Sequence, residues 1–178
     1  APGATPGSAD LTIRVSPGRK FDGNANFDAN GSLYTGMHRV SAGVDANSLL
    51  GRGELISVRA SDALDGVLRF SRVSVLVPVG PWGTKIGGAY SELKYRLGGL
   101  KAFNDLKASG SAEVESSIAI HPFIRSRNTH LLAIFQYDKR KFRDIQLTSG
   151  REVRKVADIS SLGISGDFRD RFGGGGIN

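Results

Sequence analysis

The chain has 178 residues, 39% hydrophobic and 23% charged, enough for one domain and too apolar for a disordered, solvating segment. Its net charge of +7 admits an anionic partner such as nucleic acid or a lipid headgroup without requiring one. The absence of cysteine excludes disulfide frameworks and thiolate metal sites, and no apolar run is long enough for a transmembrane helix, a test that a β-barrel escapes.

Residues 1–10, "APGATPGSAD", are small and rich in Pro and Gly, so they read as a linker. Leu11–Val15, "LTIRV", reads as a short strand stopped by Ser16-Pro17-Gly18. Helical periodicity is almost absent beyond this point; the best helical candidate is the short stretch Leu100–Leu106. The remainder reads as strands over 19–29, 37–47, 53–62, 66–78, 84–96, 108–121, 129–140 and 155–168. Strands of roughly ten residues exceed the usual five or six and match what a tilted strand needs to cross a bilayer.

The predicted connections alternate in kind. "SLLGRG", "VGPWG" and "PFIRSRN" are compact, with Gly or Pro. "GSLYTG", "DALD", "GGLKAFNDLK" and "FRDIQLTSGREVR" lie on the other side, and the last two are long and charged. Short turns at one end and longer polar loops at the other are the pattern of an outer-membrane barrel. The densest basic run, Asp138-Lys-Arg-Lys-Phe-Arg143, reads as a solvated loop rather than a binding patch.

Alternation along the strands sorts the two faces. In 37–46, His38, Val40, Ala42, Val44 and Ala46 alternate with Arg39, Ser41 and Asp45. In 54–61, Ile56, Val58 and Ala60 alternate with Ser57, Arg59 and Ser61; in 111–120, Ala112, Val114, Ile118 and Ile120 alternate with Glu113, Glu115 and Ser117. In a barrel, the apolar set, including Val40, Val44, Val58 and Ile118, is expected to face lipid, and Arg39, Asp45, Arg59, Glu113 and Glu115 to face a wet lumen. Strands 66–78, 84–96 and 155–168 alternate less cleanly and leave their faces open. Tyr34, Phe70, Tyr95 and Phe142 fall near the longer-loop ends, and Trp82, Phe123, Phe168 and Phe172 near the short turns. They fit two interfacial girdles or, equally, the caps of a sandwich core.

Nothing in the sequence resembles a catalytic or cofactor site. His38, His121 and His130 have no metal-binding spacing, so no metal is expected. "VGPWGTK" lacks the spacing of a phosphate loop and the helix after it, no G-x-S-x-G elbow occurs, and "GGGG" at 173–176 reads as a flexible turn. The expectation is a protein that is not an enzyme and carries no cofactor.

The segment Phe21–Glu54 resembles the opening of the barrel in two-partner secretion transporters, the haemolysin secretion/activation proteins of bacterial outer membranes. The residues that carry this are Phe21-Asp-Gly23, Asp28-Ala-Asn30-Gly31-Ser32, Thr35-Gly36, Arg39 and Asn47-Ser-Leu-Leu-Gly51-Arg-Gly53-Glu54. Ala29 separates an Asp from an Asn that the family keeps adjacent, and Glu54 stands where Asp is usual. Further on, "VSVLVPVGPWGTKI", "YSELKYRLGGLKAFNDLKASGSA", "HPFIRSRNTHL" and "LGISGDFRDRFGGGGIN" are similar to the family's later strands and turns, in the family's order. The resemblance implies a sixteen-stranded antiparallel transmembrane barrel preceded by periplasmic polypeptide-transport-associated (POTRA) domains. Residues 1–18 are then a linker with the end of such a domain, and 19–178 about half of the barrel, so the chain reads as a fragment. The family's Val-Arg-Gly-Tyr-type loop motif does not occur in it. The implied function is passage of an unfolded partner exoprotein, of haemolysin or adhesin type, through the lumen to the cell surface. The expected surroundings are outer-membrane lipid, with no nucleic-acid partner. Two alternatives stand beside it: a complete eight-stranded membrane barrel with a structural or adhesive role, and a soluble β-sandwich or lipocalin-like binder.

Overall fold

The computed structural model describes residues 16, 18–31, 36–97, 108–146, 150–169 and 176–177. They form one antiparallel sheet in which each strand pairs with the next in sequence, β1 to β9. The strands are β1 (Phe21–Asp28), β2 (Arg39–Asn47), β3 (Leu55–Ala63), β4 (Leu68–Val79), β5 (Thr84–Arg96), β6 (Ala108–Arg125), β7 (Thr129–Gln146), β8 (Arg151–Arg169) and the two-residue β9 (Gly176–Ile177). All eight strands expected from the sequence are present. The expected linker, Leu11–Val15, the helical candidate at 100–106, Tyr34 and Phe172 lie outside the described residues.

The sheet is a single layer. Among the described residues no large side chain is fully buried, and the buried apolar set is only Ala46 and Ala63. A soluble sandwich needs a second sheet to cover one face, and the described residues supply none, so that alternative falls. The closed eight-stranded barrel falls as well. Among the described residues β1 pairs only with β2, so the sheet stays open. In a bilayer the unpaired backbone groups of an open edge are costly, and closure requires further strands.

The turns explain the glycine motifs. In the turn after β2, Gly51 and Gly53 have φ of 72° and 76°, and Ser48 is the one described non-glycine residue with positive φ. Ser48 Oγ accepts from the Gly53 N–H at 3.1 Å, and the Ser48 N–H donates to the Glu54 carbonyl at 2.7 Å. Between β4 and β5, Gly80 and Gly83 have φ of 68° and 79°, so "GPWG" closes a four-residue hairpin with Trp82 exposed at its tip. After β6, Ser126 Oγ accepts from the Thr129 N–H at 3.0 Å and closes that turn. Phe123 sits at a bulge between Pro122 and Ile124, where proline has no N–H to continue the ladder.

Three strands are longer than expected. β6 and β7 have 18 residues each and β8 has 19. Most of "FRDIQLTSGREVR" is strand on both sides of a short connection, not a long loop. The basic run 138–143 is likewise mid-strand in β7, so its side chains alternate between faces. Eighteen residues at a rise of about 3.3 Å span about 60 Å, or about 42 Å along the normal when tilted by about 45°. The apolar band of such a barrel is about 25 Å tall, so β6–β8 extend well beyond it.

Candidate functional site

Direct cross-strand partners share a face, so the register carries each side chain across the whole sheet. Val44, Val58, Val73 and Tyr90 are successive partners on β2–β5, and the row continues through Glu115, Lys139 and Asp158. Val44, Val58 and Val73 are 51%, 46% and 51% exposed, whereas Ser41, Asp45, Ser57 and Arg59 on the other face are more enclosed. The side chains crowd on that second face, so it is the concave one.

Arg39, Asp45 and Arg59 lie together on the concave face. Glu113 and Glu115 do not. Glu115 pairs with Tyr90 and Glu113 with Glu92, which places both on the convex face with Val58. Ile118 pairs with Gly87 and belongs to the concave face, opposite to the expectation. The inversion has a physical cause. In 111–120 the charges sit on the convex face and the small apolar side chains point inward, so hydrophobicity alone misassigns the faces there. In β2 and β3 alternation and register agree on which residues share a face. The three strands whose faces stood open are settled by the same register: Val73, Val75, Ile86, Tyr90, Leu162 and Ile164 are convex.

The aromatic expectation also changes. Phe70, Tyr95 and Phe142 are concave, since Phe70 pairs with Ser61, Tyr95 with Gly110 and Phe142 with Ala112. Tyr90 and Tyr137 are the convex aromatics at the line where the apolar zone gives way to charge. Above that line run the convex ion pairs Lys94–Glu92 at 2.7 Å, Lys141–Glu115 at 2.9 Å and Arg143–Glu152 at 2.9 Å. Tyr137 donates its hydroxyl to Asp158 at 2.8 Å.

The concave face is polar and holds the ion pairs Arg59–Asp45 and Arg140–Asp138. Arg59 donates from Nη2 to both oxygens of Asp45, at 2.9 and 2.7 Å, and Ser57 Oγ donates to the same carboxylate at 2.5 Å. Arg59 on β3 reaches Asp45 by lying across Gly43 on β2. A Cβ at Gly43 would stand 2.7 Å from Arg59 Cδ, so only glycine leaves this path open. Tyr95 uses the same device. Its ring lies over Gly110, where a Cβ would stand 2.7 Å from the ring, and its hydroxyl donates to Asp144 on β7 at 2.7 Å. Asp138 accepts from Arg140 Nη2 at 2.8 Å and from Gln136 Nε2 at 2.9 Å. Ser41 donates to Ser61 Oγ at 2.9 Å. Sequence alternation could place single residues on a face, but these glycine-bridged pairs depend on register.

Outside the strands, Glu54 is buried in the turn before β3. Its carboxylate accepts the N–H of Leu50 and, at 3.1 Å, that of Arg52. The Leu50 N–H in particular holds its pKa below the ordinary glutamate value, against the opposing pull of burial. The histidines are scattered. His38 stacks on Phe27 with centroids 6.1 Å apart, His121 Nδ1 lies 2.8 Å from Thr84 Oγ1, and His130 is exposed on β7.

A single antiparallel layer with a polar, charged concave face and a Val-, Ala- and Phe-rich convex face defines a wall of an outer-membrane β-barrel. Residues 7–160 match the family described as "Haemolysin secretion/activation protein ShlB/FhaC/HecB", and the chain belongs to this family of bacterial outer-membrane transporters, which are not enzymes. It is 26% identical over 163 residues to the heme/hemopexin transporter protein HuxB of Haemophilus influenzae strain 86-028NP, covering 91% of this chain and 28% of the relative. HuxB of the KW20 strain is 25% identical over 162 residues, with the same coverage. In fold it is similar to CdiB from Escherichia coli, with a TM-score of 0.78 and 16% identity over 96% of this chain and 32% of that one. The chain thus spans less than a third of the length of these relatives.

Proposed function

We propose that this segment forms part of the wall of an outer-membrane pore through which an unfolded partner exoprotein, of haemolysin or adhesin type, passes to the cell surface. The observation that carries this reading is the division of one bare sheet into a polar concave face and a convex face with an apolar, valine-rich zone. In this reading Arg39, Asp45 and Arg59 line the lumen, and Val40, Val44, Val58 and Val73 meet outer-membrane lipid. Charges of both signs and hydroxyls on the concave face hydrate a sliding chain. Residues 1–18 are the linker and the end of a preceding POTRA domain.

The test uses the full-length protein that contains this segment, with a photoreactive residue at Ser41 or at Val44, neighbours on β2 that point to opposite faces. Stalling the partner exoprotein in transit is expected to give crosslinks to it from position 41 and crosslinks to lipid from position 44. Secretion that proceeds without any crosslink from the concave position, or crosslinks to the exoprotein from position 44, would overturn the reading.

A further inference from the structure

Two rows of unlike charge run side by side across the concave face. One holds Arg59, Arg72 and Arg140, on β3, β4 and β7, in continuous cross-strand register. The next row toward the short turns holds Asp45, Ser74 and Asp138, on β2, β4 and β7. Two of the arginines are answered. Asp45 takes Arg59 at 2.7 Å and Asp138 takes Arg140 at 2.8 Å.

Arg72 is different. Its direct partners are Arg59 and Ser91, and the residue below it on the same strand and face is Ser74. Among the described residues no carboxylate meets it, and it is exposed on the concave face. Two like charges directly opposite one another repel, and the clamp of Asp45 on Arg59 relieves that repulsion and lets Arg72 keep its charge free. The result is one uncancelled cation among small hydroxyl side chains, while its neighbours in the row form neutral pairs.

We propose that Arg72 is an anion-binding station in the lumen, taking a monovalent anionic group, halide or carboxylate, and biasing the pore toward anions at that height. This rests on the concave face being the lumen. A unit charge about 6 Å from an ion path changes ion occupancy about threefold at the permittivity of water, and less as salt screens it.

The experiment measures reversal potentials of the full-length protein in planar bilayers under a dilute potassium chloride gradient. The 178 residues contain no cysteine, so Arg72→Cys places one thiol in the segment. Arg72→Cys and Arg72→Gln are both expected to lower the chloride-to-potassium permeability ratio, by up to about tenfold where screening is weak, since the anion loses about threefold in occupancy and the cation gains as much. A cationic methanethiosulfonate reagent on Arg72→Cys is expected to restore the ratio, and an anionic one to lower it further. If the thiol reacts with these water-soluble reagents and the ratio does not move, the role of Arg72 is refuted while the lumen stands. If the thiol of the inserted protein resists them, the concave face is not water-filled and the pore reading itself fails. Failure of both variants to insert would show that Arg72 is needed for the fold, which also refutes the proposal.

Discussion

Val58 and Ile118 are both apolar β-branched residues in alternating strands, yet the register places them on opposite faces. Replacing each with arginine separates a face read from hydrophobicity from one read from pairing. Val58 lies between Val44 and Val73 on the convex face, four residues below Asp62, where charge begins on that strand. Four residues are about 13 Å along the strand, or about 9 Å along the normal at a tilt of about 45°. That depth is close to the middle of an apolar band about 25 Å tall, where arginine on the lipid face costs about 2–4 kcal/mol. Ile118 pairs with Gly87 and Gln136, so an arginine there extends over a glycine into the polar concave side. Its cost is the lost packing of one partly exposed side chain, about 1 kcal/mol. Denaturant unfolding of the full-length protein from lipid bilayers, followed by tryptophan fluorescence and heat-modifiable gel mobility, is expected to rank Val58→Arg as clearly the more destabilising. Equal costs, or a larger cost at 118, would refute the face assignment of β6.

Three further outcomes follow from the side-chain geometry. Gly43→Ala puts a Cβ in the path of Arg59 and is expected to abolish the coupling between Arg59 and Asp45 in a double-mutant cycle; persistence of the coupling counts against the bridge over glycine. Tyr95→Phe removes the hydroxyl that reaches Asp144 and is expected to cost about 1 kcal/mol in the same unfolding assay, with no loss meaning that the ring over Gly110 suffices. The Glu54 carboxylate is more acidic in the folded turn than the ordinary value of 4.5, so its contribution is complete above that value and fades as pH falls below it. Glu54→Gln is expected to remove that part of the acid sensitivity, measured as the pH dependence of hydrogen exchange at Leu50 and Arg52, and unchanged pH dependence would exclude the carboxylate as its source.

The elements were legible in the sequence because a membrane strand must alternate over many residues and turn on a few. The spacing of "SLLGRG" and "VGPWG" marked two of the turns, and Gly51, Gly53, Gly80 and Gly83 have the positive φ that those turns need. Alternation also gave the faces of β2 and β3, including Arg39, Asp45 and Arg59. What local pattern could not carry was the height of each residue in the membrane. Glu113, Glu115 and Ile118 alternate as cleanly as Ser57, Arg59 and Val58, and only pairing with Tyr90 and Gly87 reveals that the polarity of the faces has exchanged.

That exchange follows from tilt. Register rows run perpendicular to the strands, whereas the membrane surface cuts across tilted strands at an angle, so the line between apolar and charged residues drifts from row to row. On the convex face, charge begins at Asp62 and Arg69 on β3 and β4, which share a row. On β5 it begins at Glu92, one row nearer the short turns, and on β6, β7 and β8 at Glu115, Lys139 and Asp158, one row nearer again. The drift never reverses, as a tilt of one sign requires. The same tilt explains why "FRDIQLTSGREVR" looks like a loop in the sequence. Its charges belong to strand ends beyond the apolar zone of the convex face, where cross-strand pairs such as Arg143–Glu152 replace the valines. A sequence window measures polarity at a position but not its height, and in a tilted barrel the height decides whether the convex face needs valine or lysine.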